Sequence, residues 1–394
     1  MFHLLLAIIY LSFISLGLPD ALLGAAWPTM YLEFQVPVSY AGAIAMIISC
    51  GTIFSSLQSD RLTRRFGPGK VTAASVALTA IALFGFSTSH SFWMLCLWAI
   101  PYGLGAGGVD ASLNNYVALH YESHHMSWLH CMWGLGASVG PYIMSYALSG
   151  GMGWNAGYGY ISVLQFALTA VILLSLPIWK NHPANETATT NSVSSDAKTS
   201  KALTIPQILA IPGAKAVLVM FFCYCALEST AGLWASSFLV LYHHLDAETA
   251  ASFASLFYIG ITVGRGINGF IAMKLNDTQM IRMGQSIIAV GIALLLLPLG
   301  HISALIGLVT VGLGCAPVYP CVIHSTPHHF GPEKSQALIG VQMACAYVGS
   351  LSMPPIFGLI ANHISVALYP AYLLLILVLM FIMHETLIKQ TSHT

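Results

Sequence analysis

Three carboxylates stand in stretches of chain with almost no other charge. Asp20 lies in GLPDALLGAAWP, Asp110 in GLGAGGVDASLNNY and Glu228 in FFCYCALEST. An ionised side chain at the centre of a hydrocarbon layer costs on the order of 3 kcal/mol on insertion scales. Protonation removes most of that cost, so a carboxylate that is neutral in one state and hydrated in another couples proton movement to a change of shape. Asp110 and Asn114 are four residues apart and share a helix face, and Asn115 points about 100 degrees away. Asp20 and Trp27, His130 and Gly134, and Arg265 and Asn268 share faces in the same way. A hydroxyl-rich solute needs amides and carboxylates for its OH groups and a flat aromatic face for its C–H surface. Asn114, Asn115, His130, Asn268 and Gln342 supply the first, and Trp27, Trp133 and Trp234 the second. Plainer readings stay open: Asp20 follows Pro19 and can bond to local backbone, Asp110 can bridge helices, and the tryptophans can be packing residues. Trp128, close to a span end, is expected to anchor at a membrane interface.

The elements that must hold these residues follow from composition. Hydrophobic residues make up 57% of the 394, and charged residues 7%, against about 25% in ordinary soluble proteins. Basic and acidic side chains balance at 13 each, and no basic patch with interleaved aromatics points to nucleic acid. A helix needs about 20 apolar residues to cross hydrocarbon. Such runs fall near 4–30, 39–58, 70–88, 91–119, 127–149 and 157–179, and again near 214–241, 248–273, 280–299, 302–325, 335–360 and 364–384. The first run lacks a basic leader, which makes it a retained span rather than a signal peptide. Between the two sets lies WKNHPANETATTNSVSSDAKTSKA, with the composition of a flexible linker. The expected domains are therefore a six-helix bundle over 1–180, a cytoplasmic linker over 181–206 and a second six-helix bundle over 207–394. The eight cysteines sit among apolar neighbours and read as core residues, and the sixteen histidines show no metal-ligand spacing. No metal and no cofactor is expected.

The halves resemble each other. SLQSDRLTRRFG (56–67) has its counterpart in GFIAMKLNDTQM (269–280), 213 residues later, and HCMWGLGASVGP (130–141) is echoed near 342–354. Twelve of the thirteen basic residues lie on one set of loops, Arg265 being the exception, so the positive-inside rule puts both termini in the cytoplasm.

These features resemble the major facilitator superfamily over essentially the whole chain. SxxxDRLTRRFG is similar to that family's GxxxDRxGRR loop: Asp60, Arg61, Arg64 and Arg65 match, while Ser56 and Thr63 replace glycines. In the second half Gly269 matches, Met273 replaces the acid and Lys274 the arginine. A narrower resemblance is to the fucose-permease-like sugar symporter branch, which includes bacterial sugar transporters and animal sodium-dependent glucose transporters. It is carried by Asp110 four residues before Asn114, and by His130 ahead of Gly134, Gly136 and Pro141. The resemblance implies an all-α polytopic membrane protein with the major facilitator fold, twelve transmembrane helices in two pseudo-symmetric six-helix bundles. Spans 1, 4, 7 and 10 would line a central cavity. Asp60, Arg61, Arg64, Arg65 and Arg265 are expected to act in gating, through charge contacts with neighbouring helix ends.

The expected function is secondary active transport, a proton-coupled symport of a sugar or similar small polar solute by alternating access. Asp20, Asp110 and Glu228 would carry the coupling ion. Sodium in place of the proton, or export of a drug or metabolite, are the alternatives, although YIMSY after Gly140–Pro141 departs from the GPxxGG of drug exporters. A solute-sensing receptor lacks a signalling domain in so short a linker. An enzyme would need a clustered nucleophile and base, and none is visible. The expected partners are a small polar solute, H+ or Na+, and the lipid bilayer, with no nucleic acid, in a monomer. By resemblance the location is the bacterial inner membrane.

Overall fold

The computed structural model describes residues 2–37, 40–179, 203–245, 247–297 and 300–391. The region expected as a linker, 181–206, lies largely outside the described residues. The secondary structure is helical: α1 (Phe2–Gly17), α2 (Leu22–Glu33), α3 (Ala41–Phe66), α4 (Pro68–Ser87), α5 (Phe92–His120), α6 (Ser123–Ser149) and α7 (Gly153–Trp179) come first. A short α8 (Ile205–Leu209) precedes α9 (Ala214–Leu241), α10 (Ala247–Ile271), α11 (Asp277–Leu296), α12 (His301–Phe330), α13 (Pro332–His363) and α14 (Tyr369–Thr391). Among the described residues, ten spans are long and apolar enough to cross a membrane, with α1 and α2 counted as one over Leu4–Trp27. The 27-residue α6 and 25-residue α10 stand where the fifth and eighth of the twelve expected spans fall. Histidines, serines and glycines make α6 more polar than its neighbours, and these include residues of the site described below. Trp93, Leu174 and Val163 are among the large apolar side chains left exposed, as expected of surfaces that a bilayer covers.

The first expected span, 4–30, is not one helix. Proline at 19 has no N–H to give to Ser15, and the chain passes through turns at 18–21 before α2 begins. The freed Ser15 carbonyl is served instead by the side chain of Gln165 on α7, whose Nε2 donates at 2.5 Å, while Ser15 Oγ donates to Gln165 Oε1 at 3.0 Å. Asp20 sits in this break.

Two compact units are present, Met1–His120 with Leu129–Leu203, and Tyr121–Trp128 with Thr204–Thr394. Within the first, α3 packs on α5, α4 on α5, and α4 on α7; within the second, α10 packs on α12, α11 on α12, and α11 on α14. Counted as spans, the pairings 2–4, 3–4 and 3–6 recur as 8–10, 9–10 and 9–12, the internal repeat written in packing. An apolar core in the first unit gathers Leu18, Leu22, Met30, Phe86, Phe92 and Trp154. In that unit α1 and α6 meet backbone to backbone. A Cβ built on Gly136 would stand 2.0 Å from the Ile14 carbonyl oxygen, and one on Gly17 would stand 2.1 Å from that of Trp133. Only glycine fits at such distances.

Candidate transport site

The helical spacing on α5 brings Asp110 and Asn114 together as expected. Asn114 Nδ2 donates to Asp110 Oδ1 at 2.7 Å and to the Asp110 main-chain oxygen at 2.9 Å. That orientation turns the amide oxygen the other way, where it lies 3.0 Å from His130 Nε2 on α6. Since Asn114 Oδ1 can only accept, His130 carries its proton on Nε2 in this arrangement. The imidazole stands edge-on to Phe13, centroids 5.4 Å apart. All three polar residues are buried, Asn114 fully, and Asn115 is buried beside them. A carboxylate, an amide and an imidazole thus form one hydrogen-bonded line across two helices.

Asp20 occupies a different setting. The break between α1 and α2 leaves it exposed, yet both oxygens are engaged: Trp133 Nε1 donates to Oδ2 at 2.7 Å and Tyr102 OH to Oδ1 at 3.2 Å. Trp133 follows His130 by three residues, so one face of α6 serves both carboxylate systems. A small cavity of 10 Å³, about one water in size, lies behind Tyr102 and is lined in part by Ser12, Ser15, Thr79 and Gln165.

The second unit holds its own pair. Arg265 on α10 is buried, with Nη2 3.5 Å from Glu228 Oε1 on α9. One turn before Glu228, Tyr224 OH donates to the Cys315 carbonyl of α12 at 3.0 Å, and the Tyr319 ring stands 5.9 Å from that of Tyr224. Arg265, expected to act in gating, thus pairs with an intramembrane carboxylate. Asn268 is buried one turn further along α10. Gln342 on α13 accepts from Thr326 Oγ1 at 3.1 Å, and its amide nitrogen is buried with no hydrogen-bond partner among the described residues.

Two tryptophans expected to face solute have other settings. Trp27 belongs to the apolar core, edge-on to Phe92. Trp234 donates to the Pro354 carbonyl at 2.9 Å and packs edge-on against Phe357. Trp128, expected at a membrane interface, packs against Phe270 and close over Gly269 of α10. In the loop motif, buried Asp60 accepts from Arg64 Nε at 2.8 Å within α3, while its second oxygen has no hydrogen-bond partner among the described residues. Arg61 reaches Gln58, and Arg65 lies over the Phe66 ring. These described contacts stay within α3 and its end, where sequence reasoning expected contacts with neighbouring helix ends.

Sequence reasoning missed Tyr102, and it missed a cluster in the second unit. His324 Nδ1 is 2.6 Å from Asp277 Oδ2, His324 Nε2 is 3.0 Å from the Tyr121 carbonyl oxygen, and Ser123 Oγ donates to Asp277 Oδ1. A signal for Asp277 was present: by the 213-residue offset it takes the place of Arg64.

Comparison with known proteins agrees with this architecture. The family model described as Major Facilitator Superfamily matches residues 9–354 and, separately, 216–391. The yeast Saccharomyces cerevisiae protein "Bypass of stop codon protein 6" is 23% identical over 413 residues, covering 96% of this chain and 80% of the relative. The glucose/mannose transporter GlcP of Bacillus subtilis is 21% identical, covering 80% of this chain and 77% of GlcP. Among solved structures, the outward conformation of FucP superposes with a TM-score of 0.79 at 14% identity, over 96% of this chain and 97% of that one. FucP is described as the fucose:proton symporter of E. coli.

Proposed function

Because the chain belongs to the Major Facilitator Superfamily, and is therefore a multi-pass membrane transporter of small solutes and not an enzyme, we propose that it is a proton-coupled symporter of a sugar-like, hydroxyl-bearing solute. It would work by alternating access, with both termini in the cytoplasm. The observation that carries this reading is the buried line from Asp110 through Asn114 to His130. As a carboxylate, Asp110 accepts from the Asn114 amide. Once protonated, it has an O–H to donate, and the amide satisfies it by presenting its oxygen instead. Its NH2 then faces His130, which must accept at Nε2 and carry its proton on Nδ1. One proton on Asp110 is thereby converted into a reversal of donor and acceptor two side chains away, where a solute hydroxyl is read. Asp20, exposed and held by Trp133 and Tyr102, is the carboxylate suited to meeting solute or water directly. The likeness to GlcP and FucP supports the solute class and, for FucP, the coupling ion.

Purified protein in proteoliposomes tests this. An inward proton gradient should drive solute uptake. Asp110→Asn should abolish gradient-driven accumulation while leaving counterflow exchange of the same solute. Uptake driven by a sodium gradient and indifferent to the proton gradient would refute the proton reading.

A further inference from the structure

Asp20 places a carboxylate inside a span, and among the described residues no cation answers it. Asp60 pairs with Arg64, Glu228 with Arg265 and Glu385 with Arg282, but Asp20 makes no ion pair with any described residue. The described lysines and arginines of the first unit, Arg61, Arg64, Arg65 and Lys70, all lie around the turn between α3 and α4. The two hydrogen bonds to Asp20 come from neutral groups, Trp133 Nε1 at 2.7 Å and Tyr102 OH at 3.2 Å. Glu33 is held in a similar way, by Trp154 Nε1 at 2.6 Å, but it is the last residue of α2 and lies beyond the apolar span, where water can hydrate a charge. Asp20 sits at the break within Leu4–Trp27. A charge at that position is costly without a partner, yet the chain leaves it exposed. It is therefore set for a cation that comes and goes. The rings indicate which kind. Indole and phenol each donate to a different oxygen, so aromatic groups bracket the carboxylate on two sides. Aromatic faces attract ammonium groups, whereas a hard metal ion wants about six oxygen ligands.

We propose that the solute is a hydroxylated amine, an amino sugar or amino polyol carrying one positive charge, and that Asp20 binds its ammonium group between Trp133 and Tyr102. Each carboxylate oxygen accepts one bond from a ring and has a second lone pair for an ammonium N–H. The ion pair supplies the selection: an amine gains the full charge of Asp20, while its neutral counterpart gains only one more hydrogen bond. Asp20 stays ionised throughout, and no covalent bond forms. His130 lies one turn before Trp133 on α6, so the hydroxyl end of the same solute is read by the line from Asp110 through Asn114 to His130. The two carboxylates then divide the work. Asp110 carries the proton, and Asp20 carries the solute's charge. The inference rests on the transport reading above and narrows its solute.

The test is thermal shift of the purified full chain at pH 7.5, with matched probes that differ in one positive charge: N-methylglucamine against sorbitol, and choline against 3,3-dimethylbutanol. A bound probe raises the melting temperature by mass action. At least one amine should stabilise the wild type, with an apparent affinity tenfold or more above that of its neutral counterpart. Asp20→Asn can keep both ring contacts, accepting from Trp133 and donating to Tyr102, and should bring the amine down to the level of the neutral probe. Asp20→Glu keeps the charge and should keep the preference for the amine. Glu33→Gln removes the indole-held carboxylate outside the span and should bind the amine as the wild type does. Neutral probes that stabilise the wild type as well as the amines, or no shift with either amine, would overturn the proposal without recourse to any variant. So would amine preference that survives in folded D20N, or that is lost equally in E33Q. Failure of the transport reading shows separately, as absence of proton-driven uptake of any of these probes into proteoliposomes, whatever the binding selectivity.

Discussion

His324 lies between two acceptors, the Asp277 carboxylate at 2.6 Å and the Tyr121 main-chain oxygen at 3.0 Å. A neutral imidazole donates from one nitrogen only. Both contacts can be made together only if the Asp277–His324 pair holds a proton in addition to the one on Nε2. Hydrogen bonds to charged groups contribute about 1.5–3 kcal/mol, and this pair is only partly exposed. His324→Ala should lower the stability of the second unit by about 2 kcal/mol, read as a fall in melting temperature. A variant that melts with the wild type would show that the cluster adds nothing to stability.

The line from Asp110 to His130 gives a second expectation. His130→Phe keeps a ring against Phe13 but removes the donor to Asn114 Oδ1, a buried oxygen. Leaving such an atom unsatisfied costs about 1–3 kcal/mol, and the relay ends at Asn114. Proton-driven uptake should fall at least tenfold, read against protein that remains folded by its melting curve. Normal uptake in this variant would remove His130 from the coupling step.

Trp133→Phe should behave differently. It takes the 2.7 Å donor from Asp20, but Asp20 is exposed and water can replace the indole. Stability should change little. The effect should appear in KM, roughly tenfold, or about 1.4 kcal/mol, because the ring and the carboxylate lose their fixed relation. A large loss of stability with unchanged KM would make the contact structural.

The helix break at Pro19 predicts a rescue. Gln165→Leu leaves the Ser15 carbonyl without its 2.5 Å donor and should cost about 1–3 kcal/mol. Pro19→Ala restores a backbone N–H near the same carbonyl. In the double variant Q165L/P19A part of the lost stability should return, measured as a coupling energy in a double-mutant cycle. Strict additivity would mean that the carbonyl is satisfied in some other way.

The spans were legible because a run of apolar residues about 20 long admits few other fates, and the observed α9 coincides with the expected 214–241. The break in the first span was less so. Pro19 was visible, but Gln165, which makes the break tolerable, is 150 residues from Ser15. The same divide runs through the site. Asp110 and Asn114 were readable as a pair because helical spacing alone joins them. Asp20 with Trp133, 113 apart, and Glu228 with Arg265, 37 apart, are joined by tertiary packing that no local periodicity encodes. Trp27 and Trp234 looked free to meet solute because an indole in an apolar run carries no mark of which neighbour takes its face.

The contact between Gly17 and Gly136 and the carbonyls facing them leaves α1 and α6 no slack to slide past one another. Whatever rocks during a transport cycle, these two helices ride as a single strut, carrying Asp20 with its indole and Phe13 with its imidazole. Any shift of α5 against that strut would then be felt at two bonds, Asn114 with His130 and Tyr102 with Asp20.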